Sequence, residues 1–184
     1  MTAIVARIEG DGIARIRHAI GILASPRKMV GLARALNHTG QKVHTEVRRR
    51  IAQRTSAPVR AITQYGALKT VRATAGALEF QIRSTGKGIP LKVFAAEQGP
   101  KGVRVTAWGK RYLIPHAFMV ASMGGHVFWR TSRSRLPIRK PTGPSIPKEL
   151  VKQYVEQAMN QIVSRDLPPR LEHEIRVMTE GIVS

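Results

Sequence analysis

Cysteine is absent from the 184 residues, which excludes disulfides, thiolate zinc sites and thiol nucleophiles. Aromatic residues are scarce at 5%, so the core has to be built from Ala, Val, Ile and Leu. Acidic side chains are few: 11 Asp and Glu stand against 31 Lys and Arg, a net charge of +20. The only aspartates are Asp11, beside glycines, and Asp166, beside Leu167-Pro168-Pro169. That is too few ligands for a two-metal nuclease or a paired-carboxylate hydrolase. No apolar run approaches the ~20 residues of a membrane span. Ile20-Gly21-Ile22-Leu23-Ala24 follows Arg15 and Arg17 in the manner of a secretory signal but is too short for one, so a cytoplasmic product is expected.

What is present is a folded chain with a lopsided charge. Hydrophobic residues make up 42% of the sequence, enough to argue against a disordered tail, and the length suits one core better than two. Residues 1–147 carry 26 basic and 5 acidic side chains, residues 148–184 only 5 and 6. A cationic field of that size calls for a polyanion or an acidic partner, with salt-sensitive affinity through counterion release. A solvated face that merely confers solubility is the alternative.

Catalytic patterns are missing. The histidines at 18, 38, 44, 116, 126 and 173 include no H-E-x-x-H, and His38 and His44 point to different sides of a helix. His116 stands in the most patterned segment, where a turn or core role is the ordinary explanation. Thr85-Gly86-Lys87-Gly88 lacks the upstream glycine of a phosphate-binding loop. No Ser/His/Asp arrangement can be built, so neither an enzyme nor a cofactor or metal site is expected.

Residues 1–24 read as an N-terminal arm of undecided structure, with isoleucines at 4, 8, 13, 16 and 20 broken by Gly10-Asp11-Gly12. Residues 25–184 read as a single α+β domain. Ser25-Pro26 is a helix start. From there Met29, Leu32, Ala33, Leu36, Gly40, Val43, Val47 and Ile51 make one apolar stripe at helical spacing, with Arg34, Lys42, Arg48, Arg49, Arg50 and Arg54 mostly off it. Thr55-Ser56-Ala57-Pro58 ends this long helix, and Val59–Tyr65 predicts a short second one, completing a helical region over 25–66. Over 70–131 the period falls to two: Leu78, Phe80 and Ile82, then Ile89, Leu91 and Val93, then Val103 and Val105 predict half-buried strands. Connections this short predict an antiparallel β-meander, with a tight turn at Trp108-Gly109. Residues 132–147 are an extended segment rich in proline and base. Helices return over 148–184, with a break at Leu167-Pro168-Pro169, and are expected to pack on the sheet.

The densest stretch is Arg111–Pro147. Ile114-Pro115-His116-Ala117-Phe118 is a proline-stiffened turn into an apolar strand, Gly124-Gly125 reverses the chain, and Val127-Phe128-Trp129 runs back. That second strand delivers Arg130, Arg133 and Arg135, followed by Arg139-Lys140. Guanidinium groups on a strand end and loop, with Thr131, Ser132 and Ser134 between them, can hold phosphate oxygens without reading sequence. They can equally meet acidic residues of a neighbouring protein.

The order R-x-x-I-P-x-A-F (Arg111, Ile114, Pro115, Ala117, Phe118), a glycine turn (Gly125), a strand from Val127 to Arg130, R-x-P-I (Arg135, Pro137, Ile138) and a Ser-x-Pro helix start (Pro147) resembles the phage minor tail protein Z family. Weaker similarity runs back to the basic helix near Arg48 and forward to Arg165-Asp166-Leu167-Pro168. The resemblance implies a tail completion protein at the head-proximal end of a long-tailed phage: a structural virion protein made in the bacterial cytoplasm, acting in head-tail joining. It implies a ring, sixfold like the tail tube, with the tail terminator and head connector as neighbours and genomic DNA in the channel. The signature residues Arg111, Ile114, Pro115, Ala117, Phe118, Pro137, Ile138 and Pro147 would form a contact surface. A free, sequence-nonspecific nucleic-acid-binding protein is the competing reading, against which stand the scarce aromatics and the lack of a helix-turn-helix.

Overall fold

A computed structural model of the chain describes residues 11–179. The first ten residues of the expected arm lie outside that range. The rest of the arm, Asp11–Ala24, is a helix, α1, so the spacing of Ile13, Ile16 and Ile20 expresses a helical period. Ser25 and Pro26 separate it from α2, Arg27–Thr55. The Ser25 hydroxyl donates to the Ile22 carbonyl at 2.7 Å and accepts from the Arg27 N–H at 3.3 Å, closing one helix and capping the next. Then follow α3, Val59–Gly66, and ten short strands: β1 Leu68–Val71, β2 Gln81–Ser84, β3 Gly88–Pro90, β4 Glu97–Gly99, β5 Gly102–Ala107, β6 Lys110–Pro115, β7 Phe118–Val120, β8 His126–Arg130, β9 Ile138–Arg139 and β10 Thr142–Ser145. Two helices end the described chain, α4 Ile146–Leu150 and α5 Gln153–Met178. The fold is mixed helix and antiparallel sheet with a long N-terminal helix.

The described chain divides into two compact units. The first gathers residues up to Gln41, Val71–Gln81 and Ile162 onward. Its backbone approaches are close: the α2 face at Gly40 lies under the Phe80 ring, and Gly31 meets the Met178 side chain. Asn37 holds the loop by two hydrogen bonds with the Ala73 backbone, both 2.8 Å. Ala77 and Thr74 form an isolated bridge, so Leu78–Phe80, read as strand from its alternation, is not one. Here the Asn37 clamp and the approach of Phe80 to Gly40 shape the backbone in place of a ladder.

The second unit holds Lys42–Thr70 and Ile82–Gln161. Val43, Val47 and Ile51 of α2, Ile62 of α3, Ile89, Phe94, Val103, Val127, Ile146 and Val155 are buried in it, as the apolar stripe and strand alternation require. The strands form four small sheets instead of one continuous meander: β1 with β2, β10 with β3, β4-β5-β6, and β7-β8-β9. The β3 to β10 pairing, Thr142 opposite Pro90 and Ser145 opposite Gly88, joins distant segments, which local period does not reveal. Leu91–Val93, read as strand, is a 3-10 turn. The β5–β6 hairpin turns on Trp108 and Gly109, with φ of 50° and 72°, the left-handed pair that matches strand twist. Its tip is fixed to the end of α2 by Trp108 N–H to Thr55 O at 3.1 Å and Gly109 N–H to Ser56 Oγ at 2.8 Å.

Leu167-Pro168-Pro169 does not break the last helix: both prolines lie inside α5. Local propensity alone favours a break, at about 3 kcal/mol per interior proline. Val155 and Ala158 ahead of the pair are buried, and beyond it the Met178 side chain lies against Gly31 of α2, so each arm has tertiary contacts that outweigh the local propensity.

Candidate nucleic-acid interface

β6 ends at Pro115, and the chain turns through His116, whose φ is 58°. The His116 N–H donates to Lys101 O at 3.3 Å, and exposed His116 shapes the turn; no described group makes it a ligand or base. Ala117 is buried, so at this signature position the side chain serves the core instead of the surface. Phe118 then pairs with Phe128 across β7 and β8, their rings 6.2 Å apart. The reversal between these strands uses Gly124 and Gly125, with φ of 71° and 65°, conformations open to glycine at little cost.

β8 continues into a hairpin with β9, in which Trp129 faces Arg139 and Arg130 faces Ile138. Residues 131–137 form the connecting loop, closed by Thr131 N–H and Oγ1 to Pro137 O at 3.4 and 3.3 Å. The hairpin therefore brings together Arg130, Arg133, Arg135, Arg139 and Lys140, all exposed. Their situations differ. Arg130 lies 5.1 Å over the Phe118 ring, a cation–π contact that fixes its stem. Lys140 Nζ is 3.2 Å from His126 Nε2, and Lys92 Nζ donates to Gly124 O at 3.0 Å. Burial of the ring, then Lys140 and Lys92, hold the His126 imidazole below its usual pKa, which favours the neutral ring, the form able to accept from the Lys140 ammonium. Arg133, Arg135 and Arg139 form no ion pair with any described residue. No Asp or Glu occurs between Glu97 and Glu149, so the hairpin's own stretch of chain cannot neutralise them.

The other signature residues are dispersed in role. Arg111 is spent on an ion pair with Glu97, both exposed. Ile114, Phe118, Ile138 and Pro147 are half-buried, while Pro115 and Pro137 are exposed. Pro147 stands in the first turn of α4, which packs on β10 and α3; it belongs with that packing and not with the hairpin. Between the hairpin and the β4-β5-β6 sheet runs a groove of about 840 Å³ whose lining includes Gln98, Lys101, Leu113, His116, Phe118 and Arg130. Sequence reasoning missed this groove, because Gln98 enters it from β4 and Lys101 from the β4–β5 turn, a hairpin whose pairing local period does not reveal. It also missed a cleft of about 590 Å³ lined by Arg50, Arg54, Tyr154 and Gln157 among others. Arg50 and Arg54 at i,i+4 were the one available signal.

Among the described residues no group of three or more His, Cys, Asp or Glu could hold a metal ion. No described helix is long and apolar enough to cross a membrane. The basic hairpin can do electrostatic work, multidentate contact with phosphate or carboxylate oxygens; it presents no paired acid and base. Compared with known protein families, curated proteins and solved structures, the chain gives no match.

Proposed function

We propose that the chain is a structural assembly protein: a tail completion or neck component at the head-proximal end of a phage tail, acting in head-tail joining. The observation that carries the reading is the exposed hairpin Arg130–Lys140, whose Arg133, Arg135 and Arg139 have no described acidic partner. It lies within the Arg111–Pro147 segment that resembles the minor tail protein Z family. In this reading the chain forms a ring, six copies by the resemblance, with the tail terminator and head connector as neighbours. The basic hairpins face the channel and meet genomic DNA through its phosphates, without sequence preference. The C-terminal helical segment braces the sheet that carries them. No cofactor or catalytic role enters.

A second reading is a free, sequence-nonspecific nucleic-acid-binding protein, favoured by the same unpaired arginines. It requires tight, salt-steep DNA binding by the isolated chain, whereas a ring component gains most of its affinity from many weak contacts after assembly.

The test is a double charge reversal, Arg133→Glu with Arg135→Glu, in a phage carrying the gene. Both side chains are exposed, so the fold should survive while infectivity falls through failed joining or DNA positioning. Normal infectivity from a correctly folded double variant would remove the hairpin from the function.

A further inference from the structure

The sequence has two tryptophans, and the fold uses them differently. Trp108 is engaged: its ring meets Tyr112 edge-on at 6.3 Å, and its Nε1–H donates to Glu149 at 3.4 Å. The Trp129 side chain has no hydrogen bond or aromatic contact with any described residue, and it is 43% exposed. Successive strand residues face opposite ways, so Trp129 lies across the β8–β9 ribbon from Phe128 and Arg130. It shares its face with Arg139, its register partner. Beyond it the loop carries Arg133 and Arg135, then Leu136, 66% exposed.

A flat apolar ring held among unpaired guanidinium groups fits a ligand that offers a π face and an anion within one residue's reach. A nucleotide does so; an acidic protein surface supplies the charge without the face. In a duplex the base faces are hidden in the stack, so only an unpaired base can lie on the indole. We propose that Trp129, together with Arg133, Arg135 and Arg139, forms a binding site for single-stranded nucleic acid, with one base stacked on the indole and the flanking phosphates on the arginines. This rests on the reading of the hairpin as a nucleic-acid surface and adds the strand state of the ligand. In a channel such a site would favour a frayed or single-stranded genome end over continuous duplex.

The test uses the full chain and two labelled probes, an oligothymidylate of about ten nucleotides, within the span of typical single-strand sites, and a duplex of equal length. Trp129→Ala should weaken oligothymidylate binding about tenfold, as expected for one base-aromatic stack, and duplex binding less than about twofold. Trp129→Phe, which keeps a ring, should restore most of the single-strand affinity and serves as the folding control. Oligothymidylate should quench tryptophan emission in the wild type and not in Trp129→Phe. Equal losses on both probes with Trp129→Ala, or no loss on either, overturn the stacking site. Arg133→Glu with Arg135→Glu should weaken both probes. If that variant changes neither, the hairpin is no nucleic-acid surface, and the underlying reading fails with the stacking proposal. If it weakens both while Trp129→Ala is silent, only stacking fails.

Discussion

Removing the Glu149 carboxylate tests how the second unit is held together. Glu149 is only 3% exposed, yet it accepts three donors: Lys152 Nζ at 2.7 Å, Tyr154 OH at 2.9 Å and Trp108 Nε1 at 3.4 Å. These tie α4 and the start of α5 to the turn of the β5–β6 hairpin. In Glu149→Ala, Lys152 returns to water at little cost, because its side chain is half exposed. Tyr154 loses a charge-assisted bond of about 1.5–3 kcal/mol, Trp108 loses a long and weaker one, and a small cavity adds to the penalty. Relief of the buried charge's desolvation offsets part of the loss. The net expectation is a destabilisation of about 2–4 kcal/mol, or roughly 5–12 °C in Tm for a chain of this size.

Urea melts followed by tryptophan emission report it directly, since Trp108 and Trp129 both lie in this unit. Tyr154→Phe should cost about 1–2 kcal/mol and Lys152→Ala less than about 1 kcal/mol. The double variant Glu149→Ala, Tyr154→Phe should cost less than the two single effects together, because both remove one bond. The same contact sets an alkaline limit. Burial, then the hydrogen bond to Glu149 and its charge, raise the Tyr154 hydroxyl well above the ordinary 10.0, with Arg54 opposing. A folded pKa above the unfolded one means a contribution fully present below pH 10 and lost as pH rises through the folded value. Wild type should therefore lose stability in strong alkali faster than Tyr154→Phe. A Glu149→Ala protein within about 0.5 kcal/mol of wild type refutes the tie.

Other expectations concern single positions. Gly40→Ala places a methyl against the Phe80 ring, where Cβ would come within 2.3 Å; displacement of the ring should outweigh the gain in helix propensity and cost about 1–2 kcal/mol. Gly21→Ala meets nothing within 4 Å and should stabilise α1 by up to about 1 kcal/mol, so thermal melts of the two variants should shift in opposite directions, and a stabilising Gly40→Ala would contradict the packing. Both ring nitrogens of His44 are buried without a partner, and burial, then Arg48, lower its pKa from 6.5. Stability held above pH 6.5 should fade as pH falls through the lowered value, and His44→Phe should flatten that acid slope; an unchanged slope would show that His44 is not its source.

Much of this architecture was legible where local period and burial agree. Val43, Val47 and Ile51 fall on one face of α2 in sequence and in the core, and Ser25 caps α2 as its chemistry requires. Gly124-Gly125 reverses the chain between β7 and β8, and Trp108-Gly109 between β5 and β6. Legibility failed where distant contacts decide. Leu78 and Phe80 alternate like a strand, but that segment is governed by the Asn37 clamp and the approach of Phe80 to Gly40. Pro168-Pro169 reads as a stop, yet α5 passes through it. At the candidate site, charge and order found the arginines, while the facing of Trp129 and Arg139 depends on a register that only the folded ribbon sets. Ala117, grouped by pattern with a surface, is core, because a motif marks positions without saying which way their side chains point.

The central claim is assembly at the upper end of a phage tail, and electron microscopy of particles carrying a tagged, functional copy tests it most directly. The expected result is tag density in a ring at the head-proximal end of the tail, beside the head connector. Finished, infectious particles with no tag density there would contradict it.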